Sequence, residues 1–180
     1  MRLFIAIELS DGMRRELALV SRALKERASG GRFVPVDNMH ITLRFLGETA
    51  DLSGAVAAMR EACRGIRPFD LKLGGYGYFE KTASGNHRVS LVTVKGDIGE
   101  LSVLHETLEA ALSDRGFPRD MKRYTPHVTL GRSVEHDELS DAELKKIPLS
   151  SGTTVSGITL FESVRVGGRM VYTPLHRERF

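Results

Sequence analysis

The residue types best suited to chemistry occur in a pattern that appears twice, His40-Ile41-Thr42-Leu43 and His127-Val128-Thr129-Leu130. Both copies sit in sequence that favours a strand. Strand alternation puts His40 and Thr42 on one face, with Ile41 and Leu43 on the other. His127 and Thr129 are likewise separated from Val128 and Leu130. Each copy therefore offers an imidazole beside a hydroxyl, backed by apolar residues that anchor the strand. Cleaving a phosphodiester requires one proton taken from the attacking group and another given to the leaving oxygen. Histidine, with an unperturbed pKa of about 6.5, serves both roles near neutral pH. Threonine hydroxyls can donate to non-bridging phosphate oxygens as charge develops on them. Two such pairs facing across one cleft would bracket a single phosphate.

Other readings of the same residues stand beside this one. A histidine on a strand can be structural, its ring satisfied by a backbone carbonyl; one copy alone would favour that, and the repeat argues against it. A Zn²⁺ site needs a third ligand, and neither Asp37 nor Glu48 stands at a recognised spacing. A serine or cysteine nucleophile has no support: there is no Gly-x-Ser-x-Gly elbow, and Cys63 falls on the apolar face of a helix. No metal and no cofactor is expected.

The elements that must carry these pairs follow from periodicity. A first strand is predicted over about Arg2 to Glu8. A helix follows from Ser10 or Asp11, with Met13, Leu17, Val20 and Leu24 at helical spacing, stopping before Gly30-Gly31. A strand from His40 to Leu46 closes at Gly47, and a helix spans Leu52 to Arg64. Two extended segments come next, Phe69 to Phe79 and Arg88 to Lys95; Gly74, Gly75 and Gly77 mark the first as bulged. Asp97 to Glu100 reads as a capping box before a third helix that buries Leu101, Leu104, Leu108 and Leu112. The second motif strand covers His127 to Arg132, and a short helix is expected near Asp141 to Lys146. Gly167-Gly168 joins two final strands as a hairpin. This order lacks regular β-α alternation, so the class is α+β.

A chain of 180 residues fits one domain. Its apolar runs are too short to cross a bilayer, and the opening residues read as a buried strand rather than a signal peptide. With one cysteine there is no internal disulfide, so a cytoplasmic location and no membrane association are expected. The formal net charge of +3 does not by itself identify a nucleic-acid binder.

With these flanks the chain resembles the two-histidine (2H) phosphoesterase superfamily, in its bacterial and archaeal RNA 2′,3′-cyclic phosphodiesterase branch, also called 2′-5′ RNA ligase. The likeness runs through Arg2 to Leu9, through Phe33 to Gly47 and through Tyr124 to Arg132. It continues in Leu160-Phe161-Glu162-Ser163, the glycine hairpin and Tyr172. It implies a bilobal α+β fold over residues 1–180 with pseudo-twofold symmetry. Two mainly antiparallel sheets would flank a central cleft, with helices outside. It also implies hydrolysis of RNA or nucleotide 2′,3′-cyclic phosphate ends to a 2′-phosphate without metal, with His40 as proton donor and His127 as base. Thr42 and Thr129 would bind the phosphate. The reverse, 2′-5′ joining, shares the same transition state, and a non-catalytic nucleotide- or RNA-binding module is the alternative. A monomer with no obligate protein partner is expected.

The family often carries a basic residue after its second motif, which makes Arg132 a substrate-binding candidate. Strict alternation, however, turns it away from His127 unless a bulge intervenes. Arg44 shares a face with His40 by the same alternation, and Arg123 flanks the second motif. Relatives often have tryptophan in the strand near Val89 to Val94, whereas this chain has none. Tyr76, Tyr78, Phe45 and Tyr124 are candidates to stack on a base, and core packing is the competing fate. His87, His105, His136 and His176 read as surface or partly packed residues.

Overall fold

The structure, a computed structural model, describes residues 1–81 and 87–180. In chain order its elements are β1 (Arg2–Ile7), α1 (Asp11–Arg27), β2 (Gly30–Phe33), a 3₁₀ turn (Val36–Asn38), β3 (Ile41–Glu48), α2 (Leu52–Cys63) and β4 (Phe69–Lys81). Then come β5 (His87–Gly96), α3 (Ile98–Ser113), β6 (His127–Glu135), α4 (Glu138–Lys145), β7 (Gly152–Val155), β8 (Gly157–Val166) and β9 (Arg169–Arg179).

Local chemistry sets most of these boundaries. The Ser10 hydroxyl accepts from the Met13 amide at 3.2 Å and starts α1, whose buried stripe is Met13, Leu17, Val20 and Leu24. Asp51 caps α2 in the same way, accepting from the Gly54 amide at 2.8 Å. Two expectations need correction. Asp97 does precede α3 but makes no cap; its carboxylate instead accepts from the Asp70 amide at 2.8 Å, tying the helix start to β4. The fourth helix begins at Glu138, earlier than expected, because Asp137 caps it by accepting from the Ser140 amide at 2.8 Å. The Gly167-Gly168 turn has positive φ at both residues (55° and 80°), as a two-residue hairpin with native twist demands.

Among the described residues, nine strands join one curled sheet in the order β7-β4-β5-β6-β3-β1-β8-β9, with β2 paired to β6. The midpoint lies between β6 and β3, where a single bridge, Ile41 opposite Val128, joins the half that holds β7, β4, β5, β6 and β2 to the half that holds β3, β1, β8 and β9. The two antiparallel sheets expected on either side of the cleft are thus halves of one hydrogen-bonded array. Each half keeps its motif strand innermost, so a pseudo-twofold axis passes through the bridge. Leu3, Ile5, Ile41, Leu71, Val92, Val128, Leu130 and Leu160 belong to one continuous buried cluster with the apolar faces of the helices. Among the described residues, no helix is long and apolar enough to cross a membrane.

Candidate active site

The motif histidines and threonines meet at the central bridge. Antiparallel pairing of Ile41 with Val128 places Thr42 across from His127 and His40 across from Thr129. Ile41 and Val128 are fully buried on the core side, so the four polar residues share the opposite, concave face. The pairs lie head to tail, each imidazole facing the other copy's hydroxyl.

Both rings are held through the same atom. His40 Nδ1 lies 2.8 Å from the carbonyl oxygen of Asn38, and His127 Nδ1 lies 2.7 Å from that of Thr125. A carbonyl only accepts, so each neutral ring carries its proton on Nδ1 and leaves Nε2 bare. His40 Nε2 sits 3.0 Å from Thr42 Oγ1, which donates to it in this state. Burial pushes both histidines below the ordinary value. For His40 the Asn38 carbonyl works against that shift, while the nearby His127 and Arg14 charges add to it. For His127 the Thr125 carbonyl opposes burial and the Arg132 charge reinforces it. Without an anion between them the two rings are neutral at pH 7, each with a bare Nε2. An anion between the rings would favour protonation of either one.

Beyond each motif the strand departs from strict alternation, and does so in the same way in both halves. On β3, Thr42 pairs with Ala6 and Arg44 with Ile5, so Leu43 is an extra residue. On β6, Thr129 pairs with Leu91 and Gly131 with Ser90, so Leu130 is the extra one. The leucine of each His-x-Thr-Leu is therefore a bulge, and it reverses the facing of the residues directly after it; on β3 a second shift past Phe45 restores the original facing by Gly47. Phe45, opposite Phe4, returns to the face of Thr42, and Arg132, opposite Val89, returns to the face of Thr129. Arg132 thereby lies on the cleft side and next to Arg32 of β2. Gly131 sits where β2 crosses closely, since a Cβ there would lie 3.1 Å from the Arg32 carbonyl oxygen.

The bulge also corrects the placement of Arg44. It turns to the helix side, where its guanidinium pairs with the largely buried Glu109 of α3 and donates to the carbonyl oxygens of Phe45 and Pro118. Arg123 is exposed in the loop before β6. Of the four candidate stacking aromatics, three serve packing. Tyr76 is buried, with its hydroxyl donating to His136 Nε2 at 2.8 Å. Tyr78 lies under the Arg88 guanidinium, whose carbon is 4.1 Å from the ring centroid. Tyr124 stacks on His105 at 4.0 Å and donates to the Thr42 carbonyl at 3.1 Å, tying the approach to β6 onto β3. Phe45 alone stays open, 55% exposed on the concave face. His136 departs from the surface or partly packed reading, its side chain fully buried beside Tyr76 and 3.5 Å from Asp141, while His176 is partly packed against Glu178 at 2.8 Å; the side chain of His87 lies outside the described ones.

Sequence reasoning passed over the aromatic wall around the histidines. Phe4 stands 4.8 Å from the His40 ring and stacks on Phe161 at 5.2 Å, while Tyr172 meets His40 edge-on at 5.5 Å. On the other side Phe79 approaches His127 edge-on at 5.0 Å. Alternation in β1 and β8 was the available signal, since Phe4 and Phe161 occupy the face opposite Ile5 and Leu160. The wall withdraws both imidazoles from water, which is why burial depresses their pKa values. Among the described residues, no three His, Cys, Asp or Glu side chains gather as a metal-ligating group.

Comparison with known proteins agrees with this architecture. A family model described as the 2′-5′ RNA ligase superfamily matches residues 14–167. A Thermotoga maritima protein named RNA 2′,3′-cyclic phosphodiesterase is 34% identical over 134 residues, covering 73% of this chain and 70% of its own. The crystal structure of TT0787 of Thermus thermophilus superposes with a TM-score of 0.80 at 28% identity, covering 99% of this chain and 97% of that one. Escherichia coli LigT complexed with 3′-AMP gives a TM-score of 0.74 at 27% identity, with 99% and 97% covered.

Proposed function

The chain belongs to the 2′-5′ RNA ligase superfamily, and on that premise we propose that it hydrolyses 2′,3′-cyclic phosphate ends of RNA or nucleotides to 2′-phosphomonoesters, its two histidines moving the protons. The observation that carries this reading is the pair of bare Nε2 atoms presented across one bridge on a single face.

In the proposed reaction the cyclic phosphate lies between the rings with its anionic oxygens near Thr42 and Thr129. His127 Nε2 takes a proton from water as its oxygen attacks phosphorus. The P–O3′ bond breaks, and protonated His40 delivers its Nε2 proton to the departing 3′ oxygen. The substrate's own negative charge stabilises one imidazolium against the cost of burial. On protonation His40 Nε2 no longer accepts from Thr42, which frees that hydroxyl to donate to phosphate. Arg132 stabilises the charge that grows on the non-bridging oxygens. With a ribose 5′-hydroxyl in place of water as the attacking group, the same proton transfers open the cyclic phosphate and join two RNA ends through a 2′-5′ linkage. Residues 1–180 act as one bilobal domain and need no metal.

Phosphorus NMR of a 2′,3′-cyclic nucleotide incubated with the protein in excess chelator tests this. The expected product is the 2′-monophosphate alone. A 3′-monophosphate would overturn the assignment of the leaving oxygen, and loss of turnover on chelation would overturn metal independence. Saturable binding without any product would mark a nucleotide-binding module instead.

A further inference from the structure

The β8–β9 hairpin does more than close the sheet. In hydrogen-bonding order β9 is three places from β3, yet the curl returns it to the first motif: Tyr172 meets the His40 ring, and the Asn38 side-chain amide donates to the Met170 carbonyl at 2.8 Å. Asn38 is also the residue whose backbone carbonyl accepts the His40 Nδ1 proton. One residue thus grips a strand 132 positions away with its side chain and the proton-donating histidine with its main chain. Its turn is braced from the other side by Arg14, whose guanidinium donates to the carbonyls of Val36 and Asp37 at 3.4 and 3.3 Å.

We propose that Asn38 is a positioning residue that couples the β8–β9 hairpin to the tautomer of His40, so that the docked hairpin keeps the His40 Nε2 free for the proton it must deliver. The proposal rests on the two-histidine reading above. The physical argument is directional. A neutral imidazole can hold its proton on either nitrogen, and an acceptor as partner of Nδ1 draws it there. The Asn38 carbonyl is that partner, and its aim depends on how the 3₁₀ turn sits. With the side-chain bond to Met170 removed, the turn is held on the Arg14 side alone and the carbonyl can swing away from the ring. His40 then populates the Nε2–H form, and the imidazolium that must deliver the Nε2 proton loses the carbonyl that stabilises its Nδ1–H.

The test uses Asn38→Ala and the isosteric Asn38→Asp, whose ionised carboxylate cannot donate to Met170. Nitrogen-15 NMR of the full-length protein reports the tautomer of each histidine, and the His127 signals serve as the fold control. The expected result is a shift of His40, but not His127, from the Nδ1–H toward the Nε2–H form in both variants. With it, kcat for a cyclic mononucleotide should fall about five- to tenfold, the value of one lost buried hydrogen bond, with KM within about twofold. An unchanged His40 tautomer would overturn the proposal, as would equal changes at both rings. Failure of the wild-type protein to turn over any cyclic phosphate would sink the functional reading itself, while the tautomer measurement still judges the coupling.

Discussion

Replacing Arg132 with methionine tests the bulge, the electrostatics and the phosphate contact together. Methionine preserves the length and apolar stem but removes the guanidinium. A charge-assisted hydrogen bond to phosphate is worth roughly 1.5–3 kcal/mol, so kcat/KM should fall about ten- to 150-fold at pH 7. The second signature is in the pH profile. Arg132 holds His127 below its ordinary value, and burial does so more strongly. Without the charge, His127 rises part of the way back, becomes protonated at higher pH, and stops acting as base there. The acid limb of kcat/KM, which reports the free enzyme, should therefore move to higher pH. Arg132→Lys keeps the charge and loses the fork, so it should lose part of the rate while leaving the limb in place. Steady-state kinetics on a 2′,3′-cyclic nucleotide from pH 5 to about pH 9 resolves both effects. An unchanged kcat/KM in the methionine variant would refute the reasoning. So would a rate loss whose acid limb stays fixed or moves to lower pH.

Phe45→Ala should weaken cyclic-nucleotide binding by at least about fivefold, since one base stacked on a ring is worth about 1–3 kcal/mol; its melting temperature should not change, because the ring is already open to solvent. Equal affinity for wild type and variant would show that the base lies elsewhere. Arg44→Met leaves Glu109 as a nearly buried, unpaired carboxylate, costing roughly 3–5 kcal/mol and lowering the melting temperature by on the order of 10 °C. The protein that remains folded should keep its kcat; a lost kcat with normal melting would put Arg44 back in the cleft. Cys63 is buried and its thiol is pushed up to about 12, so thiol reagents should react with it only on unfolding. Rapid stoichiometric labelling of the native protein would contradict its placement in the core.

The sequence displayed what period and residue type can encode. Leu3, Ile5 and Ile7 on one side of β1, the Met13-Leu17-Val20-Leu24 stripe and the glycine hairpin were all readable because each is a local pattern. His40 with Thr42, and His127 with Thr129, shared a face for the same reason. The facing of Arg44, Phe45 and Arg132 was not readable from alternation, because the unpaired Leu43 and Leu130 invert the residues that directly follow them. Whether Leu43 and Leu130 bulge depends on the registers of β1 and β5, which lie far away in the chain. Asp97 misled for a related reason: its capping pattern is local, but the Asp70 amide that claims its carboxylate comes from another strand. Tyr172 and Phe161 reach His40, and Met170 reaches Asn38, only because the sheet curls, and no short window of sequence reports curvature.

Convergence of the two rings on one anion is best tested by following both histidines through a single titration. Nitrogen-15 NMR of the protein titrated with a nucleoside 2′-monophosphate should show the His40 and His127 ring signals shifting together. Both should saturate with one dissociation constant, and both shifts should move toward the protonated form as the anion offsets burial. Response at only one ring, or two different dissociation constants, would contradict the shared site.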